Sequence, residues 1–237
     1  MCQEALPDHQ FDALPPGDDE SPNSFAVIAI VFESSLALAA FGLGWLVGVN
    51  PFATIIRDET WTSVAFAVLW GLIATVPLIC GLFMIERLPS PRLRNLNELV
   101  DELVARLFSE TGIVLIAMIS LAAGVGEEAL FRGLLQAGLD QWIGPPAGVW
   151  IALIAASAAF GVCHWLSNTY AVLATIMGAY LGGLFIVSGN LIAPITTHAL
   201  YDFVALVYFI RRSRSARPGL TATKKNGDST FAEPPFE

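Results

Sequence analysis

The sequence predicts an all-α protein: a polytopic transmembrane helical bundle of about six spans plus one amphipathic surface helix. Three observations predict it. Of 237 residues, 55% are hydrophobic and only 14% charged, against roughly a quarter charged in an ordinary soluble domain, and the mean hydropathy is +0.63. The apolar residues arrive in blocks of about twenty, the length that crosses a ~30 Å hydrocarbon core. Between Gln141 and Ile210 the only formally charged residue is Asp202. The composition excludes a soluble domain, and equally a disordered chain, which needs low hydrophobicity and high charge.

The elements follow in order. Residues 1–24 read as a disordered acidic tail: Glu4, Asp8, Asp12, Asp18, Asp19 and Glu20 stand among Pro7, Pro15, Pro16 and Gly17. Apolar segments then run over about 25–49, 61–85, 111–139, 147–166, 170–188 and 191–210, each long enough to span at 1.5 Å per residue. The fifth is the shortest and carries Gly178 and Gly182 in a GxxxG arrangement, which either serves close helix packing or is chance in a Gly-rich helix. Before the third span, Leu99, Val100, Leu103, Val104 and Leu107 recur at helical spacing opposite Glu98, Asp101, Glu102 and Arg106. That pattern predicts an amphipathic helix over 97–108, lying on the cytoplasmic surface. Residues 25–210 form the membrane domain, with the motifs in 110–210, and residues 211–237 read as a basic, then disordered, tail.

Orientation comes from Lys and Arg. Arg87, Arg92, Arg94 and Arg106 lie between spans two and three, and Arg211, Arg212, Arg214, Arg217, Lys224 and Lys225 follow span six. With an even number of spans these ten fall on one side, so the positive-inside rule places both termini in the cytoplasm. Trp45, Trp61, Trp142 and Trp150 gather at the opposite interface, as an aromatic belt does. The net charge of -9 owes much to the first twenty residues and says little about partners. No basic patch accompanies a nucleic-acid motif, so nucleic acid is not an expected partner. Cys2, Cys80 and Cys163 are too scattered for a disulfide framework. The acidic N-terminus is unlike a signal peptide. The expected location is a bacterial plasma membrane.

Ionisable groups inside a membrane are costly and mark function. Glu127 and Glu128 lie in the third apolar segment, His164 closes the fourth, and His198 and Asp202 lie in the sixth. His9, in the tail, is the one remaining histidine. Glu128 and Arg132 are i,i+4 and share a helix face, so an ion pair neutralises the buried guanidinium. Glu127 points about 100° away and stays free. Phe160 and His164 are also i,i+4, as are His198 and Asp202, so the last two project toward one site. Three helices can thus line a wet pocket holding two imidazoles and two carboxylates. Counted from Thr111, Glu127 lies roughly 24 Å along its helix, whereas His164 ends the fourth span. The two meet if helix three is long and tilted, or if helix four starts deep or runs on beyond Trp165.

Amide hydrolysis needs such parts. A buried carboxylate takes a proton from water as general base, an imidazole orients that water or protonates the leaving nitrogen, and donors face the tetrahedral oxyanion, for which His198 is a candidate. The same groups, Glu127, His164 and His198, are the set that would bind zinc if a metal is present; with no His-Glu-x-x-His motif, none is demanded. Cys163, beside His164, is read as packing rather than as a thiol nucleophile. Glu33, inside the first span, either lines the pocket or snorkels.

Glu127-Glu128-x-x-x-Arg132, Phe160-x-x-x-His164 and His198-x-x-x-Asp202, in that order over about residues 110–210, resemble the CPBP family of CAAX proteases and bacteriocin-processing enzymes, which includes the type II CAAX prenyl endopeptidases. The resemblance implies an intramembrane endopeptidase in a helical bundle with a polar cavity. Glu127 and His164 would activate water, His198 and Asp202 would stabilise the oxyanion, and Glu128 and Arg132 would hold the helix. The prenyl endopeptidases carry Asn where this chain has Asp202. The family is commonly labelled metalloprotease, and a metal-free glutamate mechanism is also argued for it. The substrate it implies is a hydrophobic or lipidated peptide presented among membrane lipids. Two other readings stand beside it: a proton-coupled transporter or channel, although no internal repeat is evident, and a non-catalytic scaffold or bacteriocin-immunity protein of the same fold.

Overall fold

The computed structural model describes residues 23–56 and 60–216. The acidic tail up to residue 22, Arg57 and the tail from 217 lie outside the described residues. The helices are α1 (Ser24–Val47), the short α2 (Ala53–Ile56), α3 (Trp61–Arg87), α4 (Pro91–Phe108), α5 (Ile113–Glu128), α6 (Ala137–Ile143), α7 (Gly148–Cys163), α8 (Asn168–Ser188) and α9 (Ile192–Ala216). A π-helical stretch, Ala129–Gln136, joins α5 to α6, so the third apolar segment is one continuous rod, Ile113–Ile143, of 31 residues.

Among the described residues, five helices are long and apolar enough to cross a membrane: α1, α3, the Ile113–Ile143 rod, α8 and α9. The protein is therefore a multi-pass helical bundle. Val31, Leu38, Ile73, Val114, Ile154 and Val187 stand exposed on its flanks. Such a surface suits acyl chains, while every helix satisfies its own backbone. The sixth apolar helix, α7, departs from expectation. It has 16 residues, about 24 Å at 1.5 Å per residue, and it rather than α8 is the shortest of the six. It ends because the chain leaves the helix after Cys163, where Leu166 N–H turns back to His164 O at 2.8 Å.

That early stop brings Glu127 and His164 together. The rod and α7 form a hairpin closed by Gly144–Ala147, with Gly144 at a positive φ of 74°. Glu127 lies sixteen residues before Ile143, and His164 sixteen residues after Gly148. Measured from the turn, the two are level. Helix four does not run on beyond Trp165, as one way of meeting required.

Small residues let the helices close on this pair. A Cβ at Gly126 would strike the backbone carbonyl of Glu33, so α1 lies directly against α5 at the level of Glu127. A Cβ at Gly182 would meet Leu153 Cδ1 at 2.6 Å and Gln136 Oε1 at 2.7 Å. The GxxxG pair of α8 is thus a packing face against α7 and the π-helical stretch. Its carbonyls are used as well: Arg132 Nη2 donates to Gly178 O (2.9 Å) and Gln136 Nε2 to Gly182 O (3.1 Å).

The amphipathic helix is present as α4, beginning earlier, at Pro91, whose missing N–H suits a first helical turn. Its apolar stripe is turned onto the bundle: Val104 clusters with Ile116, Phe209 and Ile210. The same contact extends α9 to Ala216, past the expected boundary at 210. Arg212 Nε donates to Asp101 Oδ1 of α4 at 2.9 Å and Arg212 pairs with Glu86 of α3, while Arg214 donates to Ser109 O.

Candidate active site

Glu127 and Glu128 close α5 immediately before the backbone widens into the π-helical stretch, a distortion often found at functional sites. They point to different neighbours. Glu128, fully buried, accepts at one oxygen, Oε1, from Arg132 Nη1 at 2.7 Å and from His198 Nδ1 at 2.7 Å. The predicted i,i+4 ion pair is formed. Its second partner was not legible, because His198 is seventy residues away and meets Glu128 only through the packing of α9 on α5.

Glu127, nearly buried, turns to both imidazoles. Its Oε2 lies 3.4 Å from His164 Nε2 and 4.0 Å from His198 Nε2. Each imidazole is fixed by its other nitrogen. His164 Nδ1–H donates to Phe160 O at 2.8 Å, which leaves Nε2 facing Glu127, and His198 is held likewise by Glu128. His198 Nε2 also lies 3.4 Å from Asp202 Oδ2, so that i,i+4 pair converges as its spacing predicted. Phe160, buried, stacks on His164 (centroids 4.3 Å apart, planes 23°), meets His198 edge-on at 5.9 Å, and lies 4.7 Å from Arg132 Cζ. One ring thus separates and spaces three cationic or ionisable groups, with a cation–π contact to the guanidinium.

All seven expected residues, Glu127, Glu128, Arg132, Phe160, His164, His198 and Asp202, therefore meet in one cluster, contributed by α5, the π-helical stretch, α7 and α9. It is closed on the Glu128 side and open on the other, where the side chains of His164 and Asp202 are 26% and 29% exposed. Cavities of about 460 and 490 Å³ lie elsewhere, the first beside Thr54, Trp70 and Asn190, the second between Pro77 and Tyr180. Neither touches these residues.

Three neighbours were missed or left open. Glu33 of α1 lies in electrostatic contact with Glu127, Asp202, His164 and His198, so it faces the cluster rather than snorkelling, and Gly126 is the small residue that admits it. Tyr170 and Tyr201 both face Asp202; a tyrosine in an apolar helix carries no signal by itself. Cys163 is exposed and unpaired with another cysteine. Zinc would need three ligands around one point. Among the described residues no three His, Cys, Asp or Glu side chains are arranged to hold a metal ion, so the conditional set Glu127, His164 and His198 does not form one here.

With this geometry established, comparison with known proteins places it. Residues 109–204 match the family model described as Type II CAAX prenyl endopeptidase Rce1-like. That span holds Glu127, Glu128, Arg132, Phe160, His164, His198 and Asp202, and it supports assignment to the CPBP family of CAAX proteases. In general terms the family supports a CAAX-protease-like intramembrane endopeptidase. No curated protein and no solved structure was found to match the chain.

Proposed function

We propose, from that family assignment and the cluster's geometry, that the protein cleaves a peptide bond by a water that Glu127 and His164 activate. The observation that carries the reading is the convergence of two fixed imidazole Nε2 atoms on one oxygen of Glu127, at 3.4 and 4.0 Å. A water entering from the exposed His164–Asp202 side gives a proton to Glu127 as its oxygen bonds the scissile carbonyl carbon. The carbonyl oxygen becomes the oxyanion of a tetrahedral intermediate. Collapse breaks the C–N bond, and the proton held by Glu127 passes to the leaving nitrogen, with His164 as its alternative carrier. His198, anchored at Nδ1 by Glu128, presents Nε2 between Glu127 and Asp202. Asp202, an acceptor when ionised, acts by orienting that imidazole. Every step uses this chain's own side chains.

The substrate that fits is a hydrophobic or lipidated peptide presented from the bilayer, since the site lies among membrane-spanning helices. We infer a plasma-membrane protein, with both termini in the cytoplasm by the side on which its arginines gather. The test is purified protein in detergent against a library of peptides and prenylated peptides. Glu127→Ala is expected to lower cleavage by at least about 10²-fold, the low end for loss of a general base, with the unfolding midpoint retained. Cleavage that persists in that variant defeats the reading. A strong chelator is expected to leave the rate unchanged; loss that added zinc restores would assign the reaction to a metal instead.

A further inference from the structure

Hydrolysis through this site needs a hydrogen-bond donor for the oxyanion, and a census of the site's N–H and O–H groups finds most of them engaged. His164 Nδ1–H is held by Phe160 O and His198 Nδ1–H by Glu128. Arg132 donates Nη1 to Glu128 and Nη2 to Gly178 O, and its Nε is wholly buried. Carboxylates at Glu33, Glu127 and Asp202 accept while ionised and donate only when protonated. His198 donates from Nε2 only when doubly protonated, and Asp202 Oδ2 then competes for that proton from 3.4 Å. Two phenols remain, at Tyr170 and Tyr201, and neither has a hydrogen-bond partner for its O–H among the described residues.

Their positions differ. Ser167 Oγ accepts from Tyr170 N at 3.2 Å and caps α8, which sets Tyr170 in the first turn, just beyond His164. Its ring centroid is 6.4 Å from the His164 imidazole. The phenol is in electrostatic contact with both Asp202 and Glu127. Tyr201 is in electrostatic contact with Asp202 and Tyr170. We propose that Tyr170 is a further catalytic residue, donating its phenolic O–H to the oxyanion that forms on the scissile carbonyl. The inference rests on the endopeptidase reading above and adds a neutral donor to it.

The experiment uses the full chain in detergent and a peptide that wild type cleaves. Tyr170→Phe removes one O–H and keeps the ring. Its kcat is expected to fall about 10²–10³-fold, as for loss of one oxyanion donor, with KM and the unfolding midpoint unchanged. Affinity for a phosphinic peptide, whose tetrahedral oxygen copies the oxyanion, should fall by the factor that kcat/KM does. Tyr201→Phe should lose less than about tenfold. Undiminished kcat in Tyr170→Phe, a loss confined to KM, unaltered phosphinate binding, or a larger loss in Tyr201→Phe each overturns the assignment. If Glu127→Ala is inactive while Tyr170→Phe is fully active, Tyr170 alone is wrong. If Glu127→Ala still cleaves, the endopeptidase reading falls and this inference falls with it.

Discussion

Two arginines organise this molecule, and they do so under opposite conditions. Arg132 is buried among α5, α7 and α8, 1% exposed, with Glu128, Gly178 O and the Phe160 face around it. Arg212 sits near the ends of α3 and α9 and against the middle of α4, its side chain 28% exposed, between Glu86 and Asp101 and 4.8 Å from the Phe209 centroid. The parts are alike: a guanidinium, carboxylates and an aromatic ring. The solvent is not. Away from water an unpaired charge is penalised by several kcal/mol, so Arg132 and Glu128 each require the other. Near water the same contact competes with hydration and salt, and contributes little. The buried pair therefore also serves to fix something else: the Glu128 oxygen that neutralises Arg132 is the one that holds His198. The partly exposed centre ties α9 to α3 and α4.

Breaking the buried pair should have the largest effect on folding. Glu128→Ala leaves Arg132 uncompensated and is expected to destabilise the protein by about 3–5 kcal/mol, read by denaturant or thermal unfolding in detergent, and to abolish cleavage because His198 is released. Replacing both partners sharpens the contrast. Glu128→Leu with Arg132→Met should recover most of that stability, since apolar groups of similar volume often match a buried ion pair, while cleavage stays lost. Recovery of cleavage by the double variant would show that Glu128 serves the arginine and not the imidazole. The smallest effect belongs to Arg212→Ala: roughly 1 kcal/mol or less, with cleavage within about threefold of wild type. That loss should shrink further between 0.1 and 1 M salt, as the Debye length falls from about 10 to about 3 Å. If Arg212→Ala destabilises as much as Glu128→Ala, burial is not what separates the two centres.

Legibility in the sequence followed the same division. The ion pair of Glu128 with Arg132, the stacking of Phe160 on His164 and the pairing of His198 with Asp202 are each four residues apart on one helix, and the helical period alone brings such side chains together. The depth of Glu127 relative to His164 looked unfavourable only when counted from the cytoplasmic end. Counted from the turn at Gly144–Ala147 it is level, so the register was present in the sequence and was read from the wrong reference point. The double use of Glu128, the approach of Glu33 and the place of Tyr170 had no such signal. Each depends on the rotation and tilt of α1, α8 or α9, which no local pattern specifies.

The sequence by itself determined which segments are apolar enough to enter a membrane, where most of the helices stop, and which ionisable side chains share a face within a helix. These follow from hydropathy and from 3.6 residues per turn, properties that a segment has before it meets any other. Only the tertiary structure decided that two histidines from separate helices turn the same ring nitrogen to one carboxylate, and that α4 covers the helix ends. Those outcomes depend on how closely backbones approach, and glycines at 126, 178 and 182 permit an approach whose partner is fixed only once the helices pack.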